Sequence, residues 1–335
     1  MVEDQVSKEG YAYTPGLKVK RAVAVTKTRR LPVAGEVYVK VGDEVNYDTV
    51  VARAEISGDP EIVKAAVLIG VEFQDLARYV MKKRGDKVRK DEVIVAYRGL
   101  FGLIKKHVTS PIDGIVESIS DSTGNIIIRG APVPVEVDAY VPGRIVEVLP
   151  REGAVVETNA AFIQGIFGVG GEQHGEIRIA VDSPEEELTE NHLTDQDKGK
   201  VLVGGSSATM NALKKGAEVG ASCIVTGGVR HREITKFMGK EIGVAITGQE
   251  EAGLTLIITE DFGKMRMSQR TFDLLRCFEG CMASVNGATQ IRAGVLRPEI
   301  IIPHSEKAGE MRDDELSAGL VPSTLVRIIR QPYLG

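Results

Sequence analysis

The chain has 335 residues, 43% of them hydrophobic and 27% charged, with a formal net charge of −5. This length suits roughly two domains, and the apolar content excludes a disordered chain. The acidic balance excludes a nucleic-acid footprint spread over the whole chain, although a local basic patch escapes that test. No run approaches the roughly 18 apolar residues of a membrane-spanning helix, so no membrane insertion is expected. The polar start Met1-Val2-Glu3-Asp4-Gln5 lacks the apolar stretch of a signal peptide. The cysteines are Cys223, Cys277 and Cys281. An odd number without a secretion signal predicts a cytoplasmic setting. Cys277 and Cys281 have no cysteine or histidine close by in sequence to complete a metal set.

From Leu17 to Val181 the pattern predicts short strands and tight turns. Val37, Val39 and Val41 alternate with Tyr38 and Lys40, and Gly42-Asp43 makes a turn. The same turn returns in Lys83-Arg84-Gly85-Asp86-Lys87-Val88. Related hairpins are predicted at Ser110–Val116 and Pro142–Val146. Their irregular spacing makes this a degenerate repeat of hairpins, not a solenoid. Between them, Gly58-Asp59-Pro60-Glu61 predicts a helix start. Ile62, Ala65, Ala66 and Ile69 follow at helical spacing, and Phe73, Leu76, Ala77 and Val80 predict a second short helix. Residues 1–181 are therefore expected to form one β-rich domain with a small helical insertion near 60–82.

Two stretches, Gly35 to Ala52 and Lys83 to Ile119, follow the pattern G-x-V-x-V-x-x-G-D-x-V…A…S-P-x-D-G-x-V. This resembles the half-motif of the biotinyl/lipoyl-type barrel-sandwich hybrid family. The nearest flavour is the non-carrier version found in the C subunit of the Rnf electron-transport complex and in inserts of large RNA polymerase subunits. The resemblance covers roughly residues 30–130 and implies an N-terminal all-β barrel-sandwich hybrid. Carriers of that family place a lysine at a hairpin tip ahead of the S-P-x-D-G strand. Here that tip reads Gly99-Leu100-Phe101-Gly102-Leu103, and Lys105 and Lys106 are displaced onto the next strand. No biotin or lipoyl attachment is therefore expected.

Farther along, the glycine-rich run Phe167–Glu176 contains Glu172, His174 and Glu176. Hairpin glycines explain it better than a metal site does. Residues 182–200 are polar and are expected to be a linker or a surface loop at the domain boundary. The period changes at Lys200, where short apolar strands begin to alternate with helices. This predicts an α/β domain over 200–305 with a mainly parallel sheet. Val201–Val203 ends in Gly204-Gly205-Ser206-Ser207, and Cys223–Thr226 ends in Gly227-Gly228. Val244–Thr247 ends in Gly248-Gln249-Glu250, and Leu254–Thr259 ends in Glu260-Asp261.

Ligands of such sheets bind beyond the carboxyl ends of the strands. Gly204, Gly205, Gly227, Gly228 and Gly248 would let a ligand approach the backbone. Ser206, Ser207 and Thr209 stand at a helix start, where free N–H groups favour an anion. Arg230 is placed to clamp a phosphate or carboxylate, and Glu250 and Glu260 to meet a cation or hydroxyl. His231 is the candidate general acid or base, because imidazole titrates near neutrality. Ser206 and Ser207 are also ordinary helix caps, and Thr-Gly is ordinary turn chemistry. Neither a G-x-G-x-x-G fingerprint nor a P-loop occurs.

Residues 306–335 form a C-terminal extension. Its end, Leu325-Val-Arg-Ile-Ile-Arg-Gln-Pro-Tyr-Leu-Gly335, resembles the opening of a KOW motif, with Arg327 and Arg330 as nucleic-acid handles. The expected function is a non-carrier binding or assembly protein. A protein partner would dock on the barrel-sandwich domain, and a small anionic ligand would sit at the strand-end cleft. One alternative is an enzyme acting on a phosphorylated or carboxylated small molecule at that cleft. The other, less favoured on charge, is a nucleic-acid-binding component of transcription or translation.

Overall fold

The computed structural model describes residues 17–99, 104–238, 253–290 and 296–305. Gly248, Glu250 and the C-terminal extension lie outside the described residues. The first strands follow the sequence alternation: β1 (Val19–Arg30), β2 (Glu36–Val37), β3 (Glu44–Val45) and β4 (Val50–Ile56). A second set follows: β5 (Pro60–Val63), α1 (Ala65–Ile69), a 3-10 turn (Phe73–Arg78), β6 (Lys87–Val88), β7 (Val93–Gly99), β8 (Ile104–Thr109), β9 (Gly114–Ser120) and β10 (Asn125–Gly130). The chain then returns to the first set with β11 (Val133–Asp138), β12 (Gly143–Leu149) and β13 (Gly153–Gln164). β11 pairs antiparallel with β4, Val133 opposite Ile56, so residues 57–132 are inserted into a β4–β11 hairpin.

The insertion repeats the body that holds it. Gly42 and Gly85 both turn at positive φ, 97° and 93°. One residue on, Asp43 and Asp86 accept the backbone N–H of Lys40 and Lys83. Gly42 N–H bonds Ile145, and Gly85 N–H bonds Val116. Gly143 faces Val45, and Gly114 faces Val88. β4–β11 skips Val51 where β7–β8 skips Ile94, and both extra residues are fully buried. β12–β13 skips Val146 where β9–β10 skips Glu117. Matched residues from Gly42 to β4 are 43 apart, those of β11 and β12 are 29 apart, and those of β13 are 28 apart from their matches on β10. The repeat looked irregular because one copy interrupts the other.

The helix expected from Pro60 starts later. Pro60–Val63 is strand, paired with β10 from Ile126 to Arg129, and the helix begins only at Ala65. It ends at Gly70, in the left-handed conformation, which glycine adopts without steric cost. The second expected helix is the 3-10 turn, with Leu76 fully buried.

The rest of the chain holds β14 (Phe167–Val169), β15 (Glu172–Ile179), β16 (Glu187–Leu188), β17 (Val201–Val203), β18 (Ser207–Ala208), α2 (Met210–Val219), β19 (Cys223–Thr226), α3 (His231–Met238), β20 (Thr255–Ile258), α4 (Gln269–Cys277), β21 (Met282–Asn286) and β22 (Glu299–Pro303). The molecule is mostly β, built on an 11-stranded sheet in the order β14-β20-β19-β17-β15-β21-β22-β13-β12-β3, with β1 on the other edge of β13. β15, β17, β19 and β20 are parallel, as the strand–helix alternation predicts. The expected mainly parallel sheet is nonetheless corrected to a mixed one. β14 flanks β20 antiparallel, and β21 and β22 return antiparallel between β15 and β13.

The stretch from β1 to β15 curls back on itself. Lys27 lies opposite Val156 on β13, whereas Glu299 lies opposite Gln164 on its other edge. Eight residues of flat strand would separate them by about 26 Å, yet Lys27 Nζ bonds Glu299 at 2.5 Å. Arg29 of β1 likewise reaches Glu172 of β15. Three apolar cores result: one in the parallel region, one in the outer repeat, and one inside the insertion, with Val63, Ile69, Leu76, Ile94 and Ile128. Residues 182–200 are not a free linker, because Leu188, Leu193 and Asp197 are buried.

Candidate functional site

The strand ends do bring many of the expected residues together, but the chain itself fills the space between them. A Cβ on Gly205 would meet the Glu186 and Ser183 carbonyl oxygens at 2.3 and 2.5 Å. On Gly227 it would meet Met265 O at 2.0 Å, and on Gly228 it would meet Gly263 O at 2.4 Å. These glycines serve close packing of residues 183–186 and 261–267 over the strand ends, not a ligand's approach. Gly204 is buried against the Leu188 side chain.

Anion positions are also taken. Ser207 Oγ donates to Glu187 Oε1 at 2.6 Å, and Lys264 Nζ approaches Glu187 Oε2 at 3.2 Å. The Ser207 bond, then Lys264, holds the Glu187 carboxyl below its usual range. Thr209 caps α2 by accepting the Ala212 N–H at 3.1 Å. Beside it, Glu190 bonds Asn211 Nδ2 at 3.0 Å, and that bond lowers its carboxyl too. Arg266 pairs with Glu185 at 2.5 Å. Ser206 is different: it is 3% exposed, and its hydroxyl has no hydrogen-bond partner among the described residues.

Glu260 Oε1 accepts the Ser268 N–H at 2.7 Å and so serves the start of α4. Arg230 is exposed and lies 3.6 Å from Glu233. His231 opens α3 and meets the Phe262 ring edge-on, centroids 5.7 Å apart. His192 Nδ1 accepts from the Thr189 N–H and hydroxyl, while Nε2 lies 3.1 Å from Glu186. A hydroxyl, an imidazole and a carboxylate in a row suggest nucleophilic chemistry. The backbone N–H on the same lone pair instead marks a capping box for the 3-10 turn at Glu190–His192.

A second polar cluster takes Glu172 from the glycine-rich run, and its other members, Arg29 and Tyr140, had no signal in the sequence. Both guanidinium N–H groups of Arg29 bond Glu172 at 2.7 Å, and Arg29 Nε bonds Asp138 O. Burial opposes the charge most, and the bonds and charges of Glu172 and Asp138 together raise the guanidinium above its ordinary range. Arg29 lies over the Tyr140 ring, 5.2 Å from its centroid. Tyr140 is buried at φ 65°, an unfavourable conformation for a bulky residue. Burial, then Glu299 and Glu172, push its phenol well above the usual range, and its hydroxyl has no hydrogen bond of ordinary geometry among the described residues. Only a positive φ reveals this residue, and a tyrosine does not announce one in sequence as glycine, asparagine or aspartate can.

No family model, curated protein or solved structure matches the chain.

Proposed function

We propose that this chain is a binding or assembly protein that docks a protein partner through the inserted repeat. Both repeats are proposed to be non-carrier barrel-sandwich hybrids, in keeping with the half-motif at Gly35–Ala52 and Lys83–Ile119. The observation supporting docking is the apolar surface of the insertion. Val67 and Leu68 of α1 are 63% and 58% exposed, and Phe73, on the 3-10 turn packed beside α1, is 43% exposed. Ile62 and Met81 of the same insertion are exposed as well. The insertion has its own core, so it needs no partner to fold over these residues. Contiguous exposed apolar residues are the usual mark of an interaction site. On β8, Lys106 Nζ donates to Ile69 O at 2.9 Å.

An anionic ligand at the strand ends would have to displace Glu187 from Ser207 and Lys264. The enzyme alternative, with His231 as acid or base, gains no further support from its edge-on contact with Phe262. The test is a V67E/L68E double variant of the full chain. A partner recovered by affinity capture with the wild type, and lost with a variant of unchanged melting temperature, is the expected result. Equal recovery by both would sink the docking reading.

A further inference from the structure

We propose that the outward face of the β7–β8 ribbon binds the groove of double-stranded DNA. The ribbon is its own two-stranded sheet. Val95 and Val108 face each other and are buried, so the opposite face, with Arg98 against Lys105 and Ala96 against His107, points outward. Arg98, Lys105 and His107 are exposed, and none of the three has an ion pair or side-chain hydrogen bond among the described residues. Like charges placed directly opposite on paired strands cost stability. No acidic side chain among the described residues pairs with Arg98 or Lys105, so an outside anion would relieve that cost.

The other repeat shows that the fold does not demand these charges. There the matched pair of Ala96 and His107 is Arg53 and Glu136, a salt bridge at 3.4 Å. The match of Arg98 and Lys105 is Glu55 and Pro134. One copy neutralises this face and the other leaves it basic. Beyond Ala96 the ribbon's strands pair, among the described residues, only with each other. A two-stranded ribbon fits the B-DNA major groove, about 12 Å wide. Arginine and lysine there neutralise phosphate. The A-form major groove of RNA is too deep and narrow for it. The net charge of −5 does not oppose this, because the patch is local. The proposal does not rest on protein docking, since Val67 and Leu68 lie on α1.

The test is fluorescence anisotropy of the full chain with a mixed-sequence DNA duplex at low salt. Binding that weakens with salt is expected, and R98E/K105E should weaken it at least tenfold. Controls with uncharged replacements, Arg53→Gln on the matched face and V67S/L68S, should leave it nearly unchanged. The R98E/K105E protein must keep its melting temperature, and R98Q/K105Q should give a smaller loss. The proposal is overturned by no DNA binding at low salt or by binding that R98E/K105E leaves intact. It is equally overturned by equal or tighter binding to an RNA duplex, a polyglutamate peptide or anionic vesicles.

Discussion

The two repeats share turns, registers and bulges but differ in what surrounds them. The outer copy is locked into the large sheet: β13 pairs with β1, β12 and β22, and Arg29 and Lys27 tie β1 to Glu172 and Glu299. Among the described residues the strands of the inserted copy pair with one another, and its core is separate. At the position of Arg29 the inserted copy has Val63, buried against its own strands. Shared backbone pairing therefore defines the module, and side chains decide whether it is built in or left to face a partner.

The sharpest way to break the comparison is at its matched glycines. A Cβ at Gly143 would meet Glu157 O at 2.2 Å, and one at Gly114 would meet Arg129 O at 2.2 Å. Each Gly→Ala change should cost about 3 kcal/mol through backbone overpacking. Gly114→Ala should expose only residues 57–132 to hydrogen exchange. Gly143→Ala should loosen the large sheet as well. Identical exchange patterns would mean that the two copies unfold as one unit.

Next in size is Arg29→Val, which gives the outer copy the residue of the inserted one. It strips Glu172 and the Tyr140 ring of their partner, and a loss of about 2 kcal/mol is expected, below the cost for a fully buried pair because Glu172 is 37% exposed. Chemical denaturation measures it. Arg29→Val with Glu172→Gln should recover part of the loss, and no recovery would show that the ion pair is not what closes β1 onto β15.

How much of this was legible in sequence varies with the physics involved. The β-turns were, because Gly42-Asp43 and Gly85-Asp86 need positive φ and a capping carboxylate. The parallel strands were, because Val201–Val203 and Cys223–Thr226 are continuous apolar runs buried on both faces. The nesting was not, because the β4–β11 pairing spans the whole insertion and leaves no local mark. The strand-end cleft was misjudged for a related reason. Glycines that admit a ligand and glycines that admit the chain's own carbonyls look the same in a string. The acidic run Glu185–Glu187 resembles a solvated linker, yet Leu188 after it is fully buried.

That run provides a smaller, pH-dependent prediction about a surface the chain neutralises itself, like the Arg53–Glu136 face and unlike the β7–β8 ribbon. The folded carboxyl of Glu187 is held below its ordinary 4.5. Its contribution is therefore present above that value and lost as pH falls through the folded one. Between pH 7 and pH 3 the wild type should lose more melting temperature than Glu187→Gln. Parallel curves would mean that Glu187 contributes nothing to holding residues 182–200.

The smallest expected effect is at Tyr140, where the matched residue of the insertion is Pro111. Proline cannot adopt φ 65°, so this left-handed turn belongs to the outer copy alone. The ring is fixed by Arg29 above it and by Ser284 Oγ, which donates to Tyr140 O at 2.6 Å. The phenol hydroxyl has no hydrogen bond of ordinary geometry among the described residues, so it adds a desolvation cost with little to offset it. Tyr140→Phe keeps the ring, its stacking and the backbone strain while removing that oxygen. Stability should stay level or rise by up to about 1 kcal/mol, read as a small increase in denaturation midpoint. A fall of similar size would place a hydrogen-bonded water or Glu299 on the hydroxyl. It would also turn Tyr140 from a strained wall of the curled sheet into a working member of the Arg29–Glu172 cluster.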